Sequence, residues 1–228
     1  MKRFMQKSLF DYGAIIFDMD GTLYYQFPLR ICMAFELSFY YLLHIKHYKE
    51  LLIIYSFRKM REQNRFINSN DFEETHYNLL AEKYNVSTGM IKKLVNKWIN
   101  EKPLRYVCFF RDHKIIELLK KLKFQQKKII IYSDYPVKNK IEVLGLVEIV
   151  NYSFCASDSG IKCLKPDPKG LKYIINAISK PVEDILFIGN RYSRDGLCAK
   201  NVKMDYLILD NISIFRWINF HIFCKVFK

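Results

Sequence analysis

Four short apolar runs, each followed by small, polar or acidic residues, constrain this chain most. They are "GAIIF" at 13–17, "KIIIYSD" at 128–134, "DILFIG" at 184–189 and "MDYLIL" at 204–209. Runs this short and this apolar read as strands buried on both faces. Amphipathic segments precede and separate the last three: "DHKIIELLKKLKF", "PVKNKIEVLGL" from Pro136 to near Gly145, "DPKGLKYIINAI" and the short "GLCAKN". Alternation of this kind implies βαβ units. The expected fold is therefore α/β: a parallel, Rossmann-like sheet with helices on both faces.

From about Leu29 to Asn100 the texture changes. Apolar residues recur at three- and four-residue spacing, and Gly is nearly absent. Asp71 with Glu74 three residues on is a capping-box pattern, and Ser87 is a plausible cap for the next helix. The block is expected to be three or four packed helices without a strand, inserted after the first strand. That divides the chain into a core domain of residues 1–23 and 107–228 and a helical domain of residues 24–106.

Composition narrows the function classes. Half of the 228 residues are hydrophobic and 16% are aromatic, which excludes a disordered chain. The net charge of +14 suggests an anionic partner or a solvated, Lys-rich surface. No Lys/Arg block resembles a nucleic-acid arm, so no nucleic-acid partner is expected. Cysteines 32, 108, 155, 163, 198 and 224 show no CxxC spacing. They read as buried, reduced thiols of a cytoplasmic protein, not as a zinc knuckle or redox dithiol. The basic start "MKRFMQKSLFDYG" lacks the apolar stretch of a signal peptide. The longest apolar run, "ICMAFELSFYYLLHI", contains Glu36 and stops at Lys46, too short and too polar to span a bilayer.

In an open parallel sheet, functional groups gather at the carboxyl ends of the strands. Four clusters fall there: "FDMDGT" with Asp18, Asp20, Gly21 and Thr22; Ser133; Lys165 in "CLKPDP"; and "GNRYSRD" at 189–195. Asp18 and Asp20 are two apart in an extended segment and face one side. Each cluster alone is ambiguous: a turn, a helix cap or a surface lysine. Their order at four strand ends is what carries weight.

That ordered set resembles the haloacid dehalogenase (HAD) superfamily. "FDMDGTLY" is the most specific part; "YSDYPVKNKIEVLGL", "GIKCLKPDP" and "ILFIGNRYSRDGLCAKN" follow in order. The resemblance covers nearly the whole chain apart from the C-terminal tail, and the insertion sits where the superfamily carries a helical cap. It implies a Mg²⁺-dependent phosphomonoester hydrolase acting on a small phosphorylated metabolite. Asp18 would be the nucleophile, forming an aspartyl-phosphate. Asp20 would be the general acid and base, with its backbone carbonyl a metal ligand. Ser133 would bond a phosphoryl oxygen and Lys165 offset the local charge. Two anions at about 4 Å and a dielectric of about 20 repel by about 4 kcal/mol, which a bridging cation removes. Thr22 and Asp134 are assigned to the substrate. The metal set is Asp18, Asp20, Asn190 and Asp195. A dehalogenase, which works without metal and generally lacks the second acid of "DMD", is disfavoured by Asp20.

Three departures from that pattern stand out. Many relatives carry Asp where this chain has Asn190, so one unit of negative charge is missing and weaker metal binding is expected. A catalytically degenerate binding or scaffold protein is the competing reading. Asp134 stands where many relatives have Asn. It reads as a group held by a nearby cation or facing substrate, or as a cap for the helix starting near Pro136. Arg58, Arg61 and Arg65 recur at helical spacing and read as sharing one face; the aromatics of this block read as core. The tail "NISIFRWINFHIFCKVFK" is apolar, aromatic and basic. It would dock on the core, join a dimer, or make peripheral contact with a membrane.

Overall fold

A computed structural model of the chain describes residues 2–63 and 71–209. Six strands form one sheet: β1 (Lys2–Phe4), β2 (Ala14–Phe17), β3 (Lys128–Ser133), β4 (Tyr152–Cys155), β5 (Ile185–Gly189) and β6 (Asp205–Ile208). Their order is β1-β6-β5-β2-β3-β4. All neighbours pair in parallel except β1, which runs antiparallel to β6. The α/β expectation holds, and the four apolar runs are β2, β3, β5 and β6. The strands not anticipated, β1 and β4, are the two edges. Each has one open side, so neither needs a continuous apolar run.

β2 lies at the centre, with Ile15 opposite Ile129 on one side and Leu186 on the other. Its residues alternate between two cores. Ile15 and Phe17 join Ile129, Ile131, Leu186 and Ile188 on one face, covered by α6 (His113–Phe124). Ala14 and Ile16 join Ile130, Tyr132 and Phe187 on the other, covered by α8 (Lys169–Ile178) and α9 (Leu197–Asn201). The first core continues without a break into the inserted helices through Leu29, Ile53, Phe57 and Trp98.

The insertion holds α1 (Gln26–Leu43), α2 (Tyr48–Glu62), α3 (Phe72–Tyr84), α4 (Thr88–Val95), a π-helical turn over Asn96–Glu101, and α5 (Leu104–Phe109). Among the described residues four α-helices, α1 to α4, fall in the block read as three or four, and α5 follows after Pro103. Asp71 accepts the Glu74 N–H at 3.1 Å and Ser87 the Met90 N–H at 3.2 Å, so both anticipated caps form. α7 (Lys138–Val143) starts two residues later than the expected Pro136.

The aromatic core reading fails on α1. Leu29, Met33 and Tyr41 are buried, but Phe27, Ile31, Phe35, Phe39 and Leu42 form an exposed stripe on the opposite face. Cys155, Cys163 and Cys198 are buried and unpaired as expected, whereas Cys108 is exposed and Cys32 half-buried. Among the described residues no helix is long and apolar enough to cross a membrane. Arg65, Cys224 and the tail with its membrane-contact reading lie outside the described residues.

Candidate active site

The carboxyl ends of β2, β3 and β5 meet beneath the inserted helices. Asp18 extends β2 by one residue, its N–H donating to the Ile188 carbonyl at 2.8 Å. The chain then turns at Gly21, whose φ of +91° lies in the left-handed region. A side chain there would also run into the Asn190 amide. The turn returns Thr22 and Leu23 N–H to the Met19 carbonyl at 3.2 and 3.1 Å. Asp18 and Asp20 thereby line one pocket.

Asp18 is 5% exposed. Its Oδ1 lies 2.6 Å from Lys165 Nζ, and its Oδ2 accepts the Thr22 hydroxyl at 3.0 Å. Lys165 Nζ also lies 2.6 Å from Asp195 Oδ1. The other Asp195 oxygen accepts the N–H groups of Asn190 and Arg191 at 3.1 and 2.9 Å. Gly189 makes that loop possible: the Asp195 side chain packs where a Cβ at 189 would sit. Burial pushes Asp18 up to about 7, against the pull of Lys165 and with Asp195 and Asp20 adding to the rise. Burial alone would lower Lys165, but Asp18, Asp195 and Asp134 outweigh it and hold it protonated.

Asp20 has a different setting. Its Oδ1 lies 2.6 Å from Lys140 Nζ of α7 and also accepts the Tyr24 hydroxyl. Its Oδ2 accepts the Ser133 hydroxyl at 3.1 Å, and Ser133 Oγ in turn accepts the Tyr135 N–H. Burial would raise the Asp20 carboxyl, but Lys140, with Tyr24 and Ser133, holds it below the ordinary range. Lys140 was missed from sequence. It lies in a Lys-rich helix start that looks solvated, and only the fold buries it.

Some assignments change. Thr22 is fully buried and absent from the pocket lining; its bond goes to Asp18, beneath the place a substrate would occupy. Asp134 does line the pocket but caps no helix. Its Oδ1 accepts the Lys165 N–H at 3.0 Å and its Oδ2 pairs with Arg194 at 2.8 Å. The nearby-cation reading is the one observed. Arg61 does not share a solvated face with Arg58. It is 1% exposed, donates to the Asp134 carbonyl at 2.6 Å, pairs with Glu73 and packs over the rings of Phe57, Phe72 and Tyr135.

Among the described residues no group of three His, Cys, Asp or Glu side chains is placed to hold a metal ion. The expected set is of another kind: two carboxylates, a backbone carbonyl and an amide. Asn190 Nδ2 sits 3.1 Å from the Asp20 carbonyl oxygen, so amide and carbonyl do converge. Turned by half a rotation, the amide presents an oxygen to the same point. Asp18 and Asp195 share one ammonium, the only cation in hydrogen-bond contact with either among the described residues. Hard oxygen donors with surplus negative charge fit a hard divalent cation.

Residues 15–209 match the family model of the haloacid dehalogenase-like hydrolases. The chain belongs to that family. Solved structures agree on the fold. A HAD phosphatase from Thermococcus onnurineus is 20% identical, with a TM-score of 0.58 over 86% of each chain. A 2-haloacid dehalogenase from Pseudomonas syringae is 14% identical, with a TM-score of 0.61 over 87% of this chain and 86% of that one. The magnesium-bound HAD-hydrolase YfnB from Bacillus subtilis is 16% identical, with a TM-score of 0.57 over 87% and 88%. A comparison with curated proteins gave no match.

Proposed function

We propose that this HAD-like hydrolase is a Mg²⁺-dependent phosphomonoester hydrolase that acts through an aspartyl-phosphate on a small phosphorylated metabolite in the cytoplasm. One observation carries the reading: Asp18, fixed by Lys165 and Thr22 at the end of the central strand, shares its pocket with the Asp20 carboxylate. Phosphatases among the structural relatives, including one from Thermococcus onnurineus, support it.

Asp18 attacks phosphorus and forms the acyl phosphate, while Asp20 gives its proton to the departing oxygen. Water then attacks phosphorus, Asp20 takes its proton, and phosphate leaves with Asp18 restored. Lys140 holds Asp20 ionised at rest, which suits the second step. For the first step, the incoming phosphoryl dianion is a like charge that favours the protonated acid. Ser133 and Lys165 orient the phosphoryl oxygens and balance their charge. Residues Asp18, Asp195, Asn190 and the Asp20 carbonyl would hold the magnesium, which would supply positive charge to offset the like charges of nucleophile and phosphoryl group. Residues 24–106 act as the cap domain.

A second reading rests on Asn190, which turns N–H and not oxygen towards the Asp20 carbonyl. That suits a binding protein with the same fold and no turnover. A broad panel of phosphorylated metabolites with Mg²⁺ or Mn²⁺ separates the two. The hydrolase reading expects turnover that EDTA and Asp18→Asn both abolish. A folded protein with no turnover overturns it, and halide release persisting in EDTA would favour a dehalogenase.

A further inference from the structure

The pocket over Asp18 opens to a mouth crowded with guanidinium groups. Arg30 of α1 and Arg191 and Arg194 of the loop after β5 converge on Glu62, the last residue of α2, at 3.4, 2.8 and 3.7 Å. Arg194 is also engaged by Asp134. Arg30 and Arg191 have no other carboxylate partner in ion-pair contact among the described residues. Arg58 lines the adjoining cleft. Burial, then Arg58 and Arg191, lower Arg30, and Glu62 pulls the other way. The Arg30 Nε–H is enclosed without a protein acceptor.

Positive charge therefore exceeds negative charge at this mouth, and part of a forked donor stands unused. Arg forks match carboxylate and phosphate oxygens two at a time. Glu62 is the protein's own anion at that place; it is 43% exposed at a helix end and is held by a two-point contact from Arg191 and single contacts from Arg30 and Arg194. The cleft beside it is open to solvent and runs from Asp20 past Leu29, Met33 and Trp98 to Arg30 and Arg58. A short linker lying along it would join two charged ends.

We propose that Arg30 and Arg191, supported by Arg58, form a second anion subsite, so that the substrate carries a carboxylate or a second phosphate that takes the place of Glu62. The inference rests on the phosphohydrolase reading for the end that meets Asp18. It adds the substrate class: short phosphomonoesters with a second anionic group.

Three synthetic esters of matched length test it: butyl phosphate, 3-carboxypropyl phosphate and 1,4-butanediol bisphosphate. Binding is measured by calorimetry on Asp18→Asn with Mg²⁺, or on the wild-type chain in EDTA if that variant does not fold. One or both doubly anionic esters are expected to bind about ten-fold tighter than butyl phosphate. Which of them does so tells whether the group is carboxylate or phosphate. Arg30→Leu and Arg191→Leu should each shrink the advantage to about three-fold or less, and Glu62→Gln should enlarge it. Equal binding of all three esters overturns the subsite, as does an advantage that survives these substitutions in folded protein. If the binding order holds but the wild-type chain with Mg²⁺ turns over none of them, the hydrolase reading falls and the subsite stands.

Discussion

Asn190 donates its amide to the Asp20 carbonyl at 3.1 Å, and that bond sets what a carboxylate at the same place would do. Asn190→Asp removes the donor and brings two oxygens together, so the metal-free protein should lose about 1–2 kcal/mol. With Mg²⁺ present the same oxygens become ligands and the restored charge strengthens binding. The expected outcome is a lower melting temperature in EDTA and a larger upward shift on adding Mg²⁺ than wild type shows. An equal or smaller shift would remove Asn190 from the metal site. Lys140 belongs to the same scale. Lys140→Met leaves the mostly covered Asp20 carboxylate with only the Tyr24 and Ser133 hydroxyls, and should cost about 3 kcal/mol in urea unfolding at pH 7. A loss under about 1 kcal/mol would mean the pair is not formed in solution. Asp18, Asp20 and Ser133 were legible in sequence because they sit at or just past the ends of apolar strands, whereas Lys165, in the connection after β4, and Asp195, in the turn after β5, were legible from their motifs and not from a strand end. Lys140, Tyr24 and Arg30 were not. They come to the site from helix starts and a turn, where nothing local marks them as buried.

At the scale of elements, β2, β3, β5 and β6 were legible because strands paired on both sides need apolar runs. β1 and β4 escaped because they are edges. Helical spacing in α1 was legible too, but the helix is apolar on nearly all sides, so periodicity alone did not say which face is inside. Met33 faces in and Phe35 faces out. Met33→Ala should therefore cost about 3 kcal/mol and Phe35→Glu less than about 0.5 kcal/mol, read from denaturant midpoints. Similar costs at both positions would show that the outer stripe is covered in solution. The amino ends of β2 and β5 are clipped by Asp184, which accepts the Gly13 N–H at 2.8 Å and pairs with Lys180 at 2.9 Å. Burial would raise its carboxyl, but Lys180 and the Gly13 N–H hold it below the ordinary range. Its contribution is thus full above the unfolded value of about 3.9 and fades as pH falls through the lower folded value. Asp184→Asn should cost about 1 kcal/mol at pH 7, with the gap to wild type closing below about pH 4. A gap that does not vary with pH would rule out the charge as its source.

Across the whole molecule, one fastening of the inserted helices to the sheet stands beside the shared core and the Arg191–Glu62 and Lys162–Asp71 pairs. Arg194, in the π-helical turn Tyr192–Gly196 after β5, pairs with Asp134 at 2.8 Å and donates to the Arg61 and Glu62 carbonyls at 2.9 and 3.0 Å. Those carbonyls end α2, where a cation is favoured by the helix dipole. Arg61 answers from the other side with its bond to the Asp134 carbonyl. No sequence pattern joins positions 61, 134 and 194; only the folded strand order brings them together. Arg194→Met would leave the buried Asp134 carboxylate without its cation and two helix-end carbonyls without a donor. Asp134 keeps the Lys165 N–H, so the end of β3 stays joined to the Lys165 segment. The damage should fall on the fastening and not on the sheet. Amide exchange in the last turn of α2 should quicken about ten-fold or more, while β2 and β5 amides change about equally with one another and by less. Uniform acceleration across α2, β2 and β5 would mean that insertion and sheet open only together, and that Arg194 is one more contributor to global stability.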